Sequence, residues 1–145
     1  MDKLINNLRK INFNKDKLIK GIPYINEYIS NDYLQYLSFD TLKYKKNLVY
    51  RDNDFEIFVV GWRPKQSTKI HNHSENGCLF KILDGSIVEQ LYDKDLKFLG
   101  HKLLKKDMNS YIHNSRCYHS MNNISLNNTV SLHIYSPPNF EIKTF

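Results

Sequence analysis

The chain lacks an apolar run of eighteen residues, so nothing in it reads as a membrane-spanning helix. Its amino terminus, MDKLINNLRKINFNKDKL, is broken by charges every few residues, which excludes the apolar core of a secretory signal. Glycine and proline are scarce, with 5 and 4 copies, while aromatics reach 13%, and that combination excludes a fibrous repeat or a disordered chain. Cysteine is scarcer still: Cys78 and Cys117 allow at most one disulfide, and free thiols are expected. What remains is 145 residues with 41% hydrophobic content, enough for one globular domain over 1–145, and a soluble, cytoplasmic monomer is the expectation.

The formal net charge of +6 raises nucleic acid as a partner, since a basic surface attracts phosphate whatever the fold. The lysines of the first third are mixed with acids and asparagines rather than gathered in one arm. A solvated lysine-rich face is the reading they support, with neither nucleic acid nor membrane as partner.

Two unequal parts follow along the chain. Over 1–42, Leu4, Ile5, Leu8 and Ile11, then Leu18, Ile19, Ile22 and Ile25, recur at helical spacing, with Pro23 and Asn/Asp-rich breaks between short helices. Over 47–138 the pattern turns strand-like, in FEIFVVGW, CLFKIL, SIVEQLY, LKFLGHKLL and TVSLHIYS. Asp84-Gly85 suits a tight type I′ hairpin turn between two of them. The sum predicts a mainly β protein, a small antiparallel β-barrel or jelly roll with amino-terminal helices packed outside it, the architecture of cupins.

Residues two apart on a strand share a face, so His71 and His73 can offer two imidazoles to one ion. A third has to come from elsewhere, among His101, His113, His119 and His133. His119 is preferred because HSMNN places Asn123 four residues on, the ending of the second cupin motif. The first cupin motif, His-x-His, then Glu, then Gly after six residues, fits His71, His73 and Gly85, but its Glu position holds Cys78. Three neutral imidazoles suit zinc, iron or copper alike. In TVSLHIYS, Ser131, His133 and Tyr135 alternate with Val130, Leu132 and Ile134, so the three polar residues form one face, expected to line the cavity.

IHNHSENGCLFKILDGSI and TVSLHIYSPP, together with YKKNLV and Trp62, resemble the signature regions of cysteine dioxygenase type I, a cupin family. The resemblance implies a non-haem Fe(II) held by His71, His73 and His119, and oxidation of L-cysteine to its sulfinate by dioxygen. It also implies a thioether cofactor joining Cys78 to Tyr135, with His133 and Ser131 orienting the tyrosine, and a cis bond before Pro137. In the family an arginine of the segment matching YKKNLV grips the substrate carboxylate. Here Lys46 stands at that position, beside Tyr44, with Arg51 and Arg63 as other cations that could reach in. Lysine keeps the charge without the planar fork, which leaves 3-mercaptopropionate, cysteamine or a non-redox metal-binding cupin as alternatives. Cys117 is assigned no role.

Overall fold

A computed structural model describes residues 1–145. Helix α1 (Asp2–Leu8), a 3₁₀ turn (Leu18–Gly21), α2 (Ile22–Glu27) and a second 3₁₀ turn (Asp32–Tyr36) precede eight strands. These are β1 (Lys45–Arg51), β2 (Glu56–Trp62), β3 (Cys78–Asp84), β4 (Ser86–Tyr92), β5 (Phe98–Lys105), β6 (Asn109–Ile112), β7 (Tyr118–Asn122) and β8 (Thr129–Tyr135). They form two antiparallel sheets, ordered β1-β2-β8-β3-β6 and β5-β4-β7. The expectation of a mainly β, double-sheet fold with outer helices holds.

The larger sheet is apolar on both faces, which is why EIFVVGW of β2 is buried at every position. Its outer face presents Ile57, Val59, Leu79, Leu132 and Ile134 to Leu8, Leu18 and Ile25 of the helical layer. Burying side chains of that size contributes about 1.5–3 kcal/mol each. Helices of seven and six residues are too short to persist alone, so this packing is what holds α1 and α2. The inner face presents Phe58, Val60, Trp62, Phe80 and Ile82 to Ile87, Leu104 and Met121 of the smaller sheet.

Two sequence expectations need correction. Asp84-Gly85 is not a hairpin turn: β3 and β4 belong to different sheets, and of the two residues only Gly85 takes a positive φ, 78°. The chain turns a corner there, where a Cβ on Gly85 would lie 2.5 Å from Thr129 Oγ1. The tight hairpins are elsewhere, where Asp52 Oδ1 accepts from the amides of Asp54 and Phe55, and Asp93 Oδ1 from those of Asp95 and Lys97. Pro23 likewise does not separate two helices. It sits in the first turn of α2, where its missing N–H costs nothing.

Lys81 stands in the outer row of β3 between Leu79 and Leu83, 1% exposed. Its Nζ donates to the carbonyls of Ile25, Asn26 and Tyr28 at 3.2, 3.3 and 2.7 Å, closing the carboxyl end of α2 against the sheet. Replacing it leaves carbonyls without a donor in a dry place. Lys81→Met is expected to lower the unfolding free energy by about 1–3 kcal/mol, read as a lower urea midpoint at unchanged slope. A midpoint equal to that of the parent chain would show that the ammonium bonds hold nothing.

Candidate metal centre

The loop joining β2 to β3 carries two histidines, and it is not a strand. His71 makes only isolated bridges, to His119 and to Thr144, and His73 makes none. The expectation that a regular strand would align the pair is therefore replaced by an extended loop pinned at several points. Asn72 N donates to Lys143 O, and Phe145 N to Ile70 O, so residues 143–145 lie along it, beyond the boundary at 138 drawn from the sequence. Asn76 N donates to Ser136 O, just before the cis Ser136–Pro137 bond. Gly77, with φ 97°, brings the backbone so close to Tyr111 and Ile112 that a Cβ would lie 2.7 Å from both.

His119 comes from β7 in the other sheet. Its Nε2 lies 2.9 Å from His73 Nε2 and 3.1 Å from His71 Nε2, and all three residues are buried. Neither His101 nor His113 joins them: His101 stacks on Phe98 on exposed β5, and His113 bonds to Ser115 and Glu75 O. Burial holds the pKa of each clustered histidine below the usual imidazole value, and for His73 and His119 their histidine neighbours add to this, so the rings are neutral ligands.

Two of the tautomers are set by partners. His71 Nδ1 donates to Lys69 O at 2.8 Å, and His119 Nδ1 donates to the Glu89 carboxylate at 2.6 Å. With those protons committed, the Nε2 atoms of His71 and His119 face each other as bare lone pairs. A cation between them removes that repulsion. Two nitrogens each about 2.1 Å from one ion lie about 3 Å apart, the order of the separations seen here. The donor set therefore fits a metal.

Glu89 escaped sequence reasoning. It is 0% exposed, accepts from Ser110 Oγ at 2.8 Å as well as from His119, and burial pushes its carboxyl pKa up. A signal existed in SIVEQLY, where Glu89 lies in phase with buried Ile87 on the inner face of β4.

Beside the histidines runs a second polar row, on β8 as the alternation predicted. Trp62 Nε1 donates to Ser131 Oγ at 2.9 Å, Ser131 Oγ meets His133 Nε2 at 2.8 Å, and His133 Nδ1 meets the Tyr135 hydroxyl at 3.2 Å. The indole can only donate, so Ser131 accepts from it, and the serine hydrogen, buried with no other acceptor in reach, goes to His133 Nε2. His133, kept neutral by burial and by Lys46, then carries its proton on Nδ1 and donates to Tyr135. That leaves the Tyr135 O–H free to donate onward. Cys78 is the Cα partner of Tyr135 across β3 and β8, with its Sγ 3.8 Å from His133 Nδ1. Burial raises the pKa of both the thiol and the phenol, so both are protonated.

Lys46 pairs with Val60 across β1 and β2, and since Val60 faces inward, so does the lysine. Its Nζ lies 4.2 Å from the Phe58 ring centre and 4.6 Å from that of Tyr135. Tyr44 stacks on Trp62 at 4.7 Å. Tyr44, Lys46, His71, His133 and Tyr135 line one cavity, with Ile142 closing its wall. Arg51 instead pairs with Glu56 at 2.7 Å, and Arg63, which follows Trp62, is exposed and outside the cavity lining. Cys117 is free and packs at the edge of the inner core. No helix is long and apolar enough to cross a membrane.

The family model for cysteine dioxygenase type I matches residues 3–145. The chain is 31% identical over 158 aligned residues to cysteine dioxygenase type 1 of Danio rerio, covering 100% of this chain and 78% of that protein. Against cysteine dioxygenase type 1 of Rattus norvegicus it is 32% identical over 111 residues, 71% of this chain but only 56% of that protein. Among solved structures, the TT1209 protein of Thermus thermophilus superposes with a TM-score of 0.64 at 18% identity, over 75% of this chain and 97% of that one. A Klebsiella pneumoniae protein with a double-stranded β-helix domain superposes with a TM-score of 0.67 at 15% identity, over 81% and 92%. At such identities the two structures establish the fold alone.

Glu89→Gln keeps the shape and removes the charge behind His119. It is expected to weaken Fe(II) binding about 10–100-fold, measured anaerobically by competition with a chromophoric chelator. Unchanged affinity would mean that the carboxylate has no hold on the ligand.

Proposed function

The chain belongs to the cysteine dioxygenase type I family, and from that premise we propose that it is an Fe(II)-dependent dioxygenase converting a small carboxylate-bearing thiol, L-cysteine first, to its sulfinate. The observation that carries the reading is one cavity lined by Lys46, Tyr135 and His71, the last of which belongs to the buried three-histidine cluster. His71, His73 and His119 would hold the iron. When bound, iron supplies open coordination positions for the thiolate and dioxygen, and the one-electron chemistry that dioxygen requires. The reaction balances without another reductant: R–SH and O₂ give R–SO₂H, the sulfur losing four electrons and gaining both oxygen atoms.

The chain's own groups bind, orient and keep water out. Lys46 makes no ion pair with a protein carboxylate, so its ammonium is available to a substrate carboxylate. Tyr135, oriented through His133, Ser131 and Trp62, offers its O–H to the reacting oxygen and can hold or return a proton there. Val60, Met121, Trp62 and Ile142 make most of the rest of the wall apolar, with Thr68 adding a hydroxyl, which favours a small thiol over a peptide thiol. Cys78 and Tyr135, neighbours across β3 and β8, support a thioether between them. Its formation removes the thiol hydrogen and one ring hydrogen, and dioxygen accepts the two electrons.

Two experiments test this. Iron(II)-loaded protein is offered L-cysteine, 3-mercaptopropionate and cysteamine while oxygen uptake and sulfinate are followed, with L-cysteine expected to be fastest. Loss of one charged hydrogen bond is worth about 1.5–3 kcal/mol, so Lys46→Met should lower kcat/KM for cysteine about 10–100-fold and leave cysteamine nearly unchanged. Oxygen uptake with none of the three, at full iron loading, would point to a non-redox metal-binding cupin. After prolonged turnover, denaturing mass spectrometry should show a chain lighter by about 2 Da, with Cys78 and Tyr135 in one cross-linked peptide. Two separate peptides at unaltered mass would remove the thioether from the scheme.

A further inference from the structure

The three imidazoles are not held alike. His71 and His119 are each oriented through the ring, by the Nδ1 bonds to Lys69 O and Glu89. His73 is not: its Nδ1 is buried and has no partner. The residue also lies outside every strand, and neither its N–H nor its C=O bonds to another backbone group. A ligand fixed by neither ring nor ladder would be free to swing, yet both backbone groups of His73 are satisfied. One side chain takes both of them.

That side chain is Asn114. Its Oδ1 accepts from His73 N at 2.8 Å, and its Nδ2 donates to His73 O at 2.6 Å. Acceptor and donor meet one residue as a neighbouring strand would, so the amide stands in for the missing strand. Only a primary amide offers both on one short planar group: aspartate accepts twice and donates nothing when ionised, and would set a carboxylate oxygen against the His73 carbonyl.

The adjacent His113 extends the clamp. Its Nδ1 accepts from Ser115 N at 3.1 Å, which leaves the proton on Nε2 to donate to Glu75 O at 2.7 Å. Both residues sit on the turn between β6 and β7, closed by Arg116 N to His113 O at 2.9 Å. The turn that leads into the strand carrying His119 therefore also grips the loop carrying His73.

We propose that Asn114, assisted by His113, is a positioning residue that fixes His73 at the metal site by replacing the strand its backbone lacks. The proposal rests on the three-histidine metal reading.

The test uses the full chain as Asn114→Ala and Asn114→Asp, with Lys81→Met as a variant destabilised on the opposite face of the larger sheet. Fe(II) affinity is measured anaerobically by chelator competition, the Co(II) visible spectrum reports the ligand field, and hydrogen exchange is read at the His73 amide. Asn114→Ala is expected to bind Fe(II) about 10–100-fold more weakly, to shift the Co(II) bands and to speed exchange at His73. Asn114→Asp should restore the slow exchange, because an acceptor for His73 N remains, while regaining only part of the affinity. Lys81→Met should bind both metals as the parent does, separating positioning from lost stability. Parent-like affinity and spectrum in Asn114→Ala would overturn the proposal. If that variant does not fold, parent-like affinity in Asn114→Asp would do so. A parent chain that takes up neither ion would instead sink the metal reading, and fast His73 exchange confined to Asn114→Ala would then still sustain the clamp.

Discussion

Two imidazole lone pairs held 3.1 Å apart in a dry cavity repel each other unless a positive charge lies between them, and the rest of the structure is arranged to keep them there. The protons of His71 and His119 are committed to Lys69 O and Glu89. Burial disfavours charging the rings, so a second proton is a poor substitute for a metal. The cluster spans both sheets, His119 on β7 of the smaller one and His71 and His73 on a loop that leaves the larger one. Movement of one sheet against the other would therefore be felt at the ligands first.

Replacing the cupin glutamate by Cys78 leaves the cluster neutral, but the cavity is not without an anion. Glu89 stands behind His119, one imidazole further out, fully buried and anchored by Ser110. A carboxylate there polarises the ring toward imidazolate and attracts a cation without occupying a coordination position. The position it would have taken as a ligand is the side on which Cys78 meets Tyr135. Lys46 supplies the opposite charge across the cavity, over the faces of Phe58 and Tyr135. The buried carboxylate behind His119 and the lysine on the far side of the cavity therefore set charges of opposite sign on either side of it.

Where residues repeat with the period of their element, the sequence was legible. The apolar runs of β2, β3 and β8 and the alternation of Ser131, His133 and Tyr135 all stand in the fold as read. Strands β1, β6 and β7 were not separately legible: KKNLVYR is half exposed, NSYI is four residues long, and YHSMN turns polar because it carries a ligand. The Asp84-Gly85 turn was misread because a local dipeptide signal cannot say whether the next strand pairs with the last or crosses to another sheet. His71 and His73 were correctly paired for a partly wrong reason, since the loop that carries them has no period and is shaped by distant partners. Asn114 lies 41 residues from His73, and no local pattern announces such a contact.

The register of β8 ties the stability of the fold to the polarity of its hydrogen-bonded row. Val130, Leu132 and Ile134 hold the helical layer, while Ser131, His133 and Tyr135 face the inner side of the sheet, where His133 and Tyr135 line the cavity. A slip of one residue would exchange the two faces, burying three polar side chains under the helices and putting aliphatics beside the histidine cluster. The pairing with β2 runs unbroken from Glu56↔Tyr135 to Trp62↔Thr129, and the irregularities fall in other pairings, at Leu48/Tyr50 between β1 and β2, Ile82/Asp84 between β3 and β8 and Leu91/Tyr92 between β4 and β5. That register places the Trp62 indole within reach of Ser131, and an indole that can only donate sets the direction of every bond down to Tyr135. The same pairing that buries the aliphatic face therefore decides which way the tyrosine proton points, so the apolar packing outside the sheet and the proton chemistry inside it stand or fall on one register.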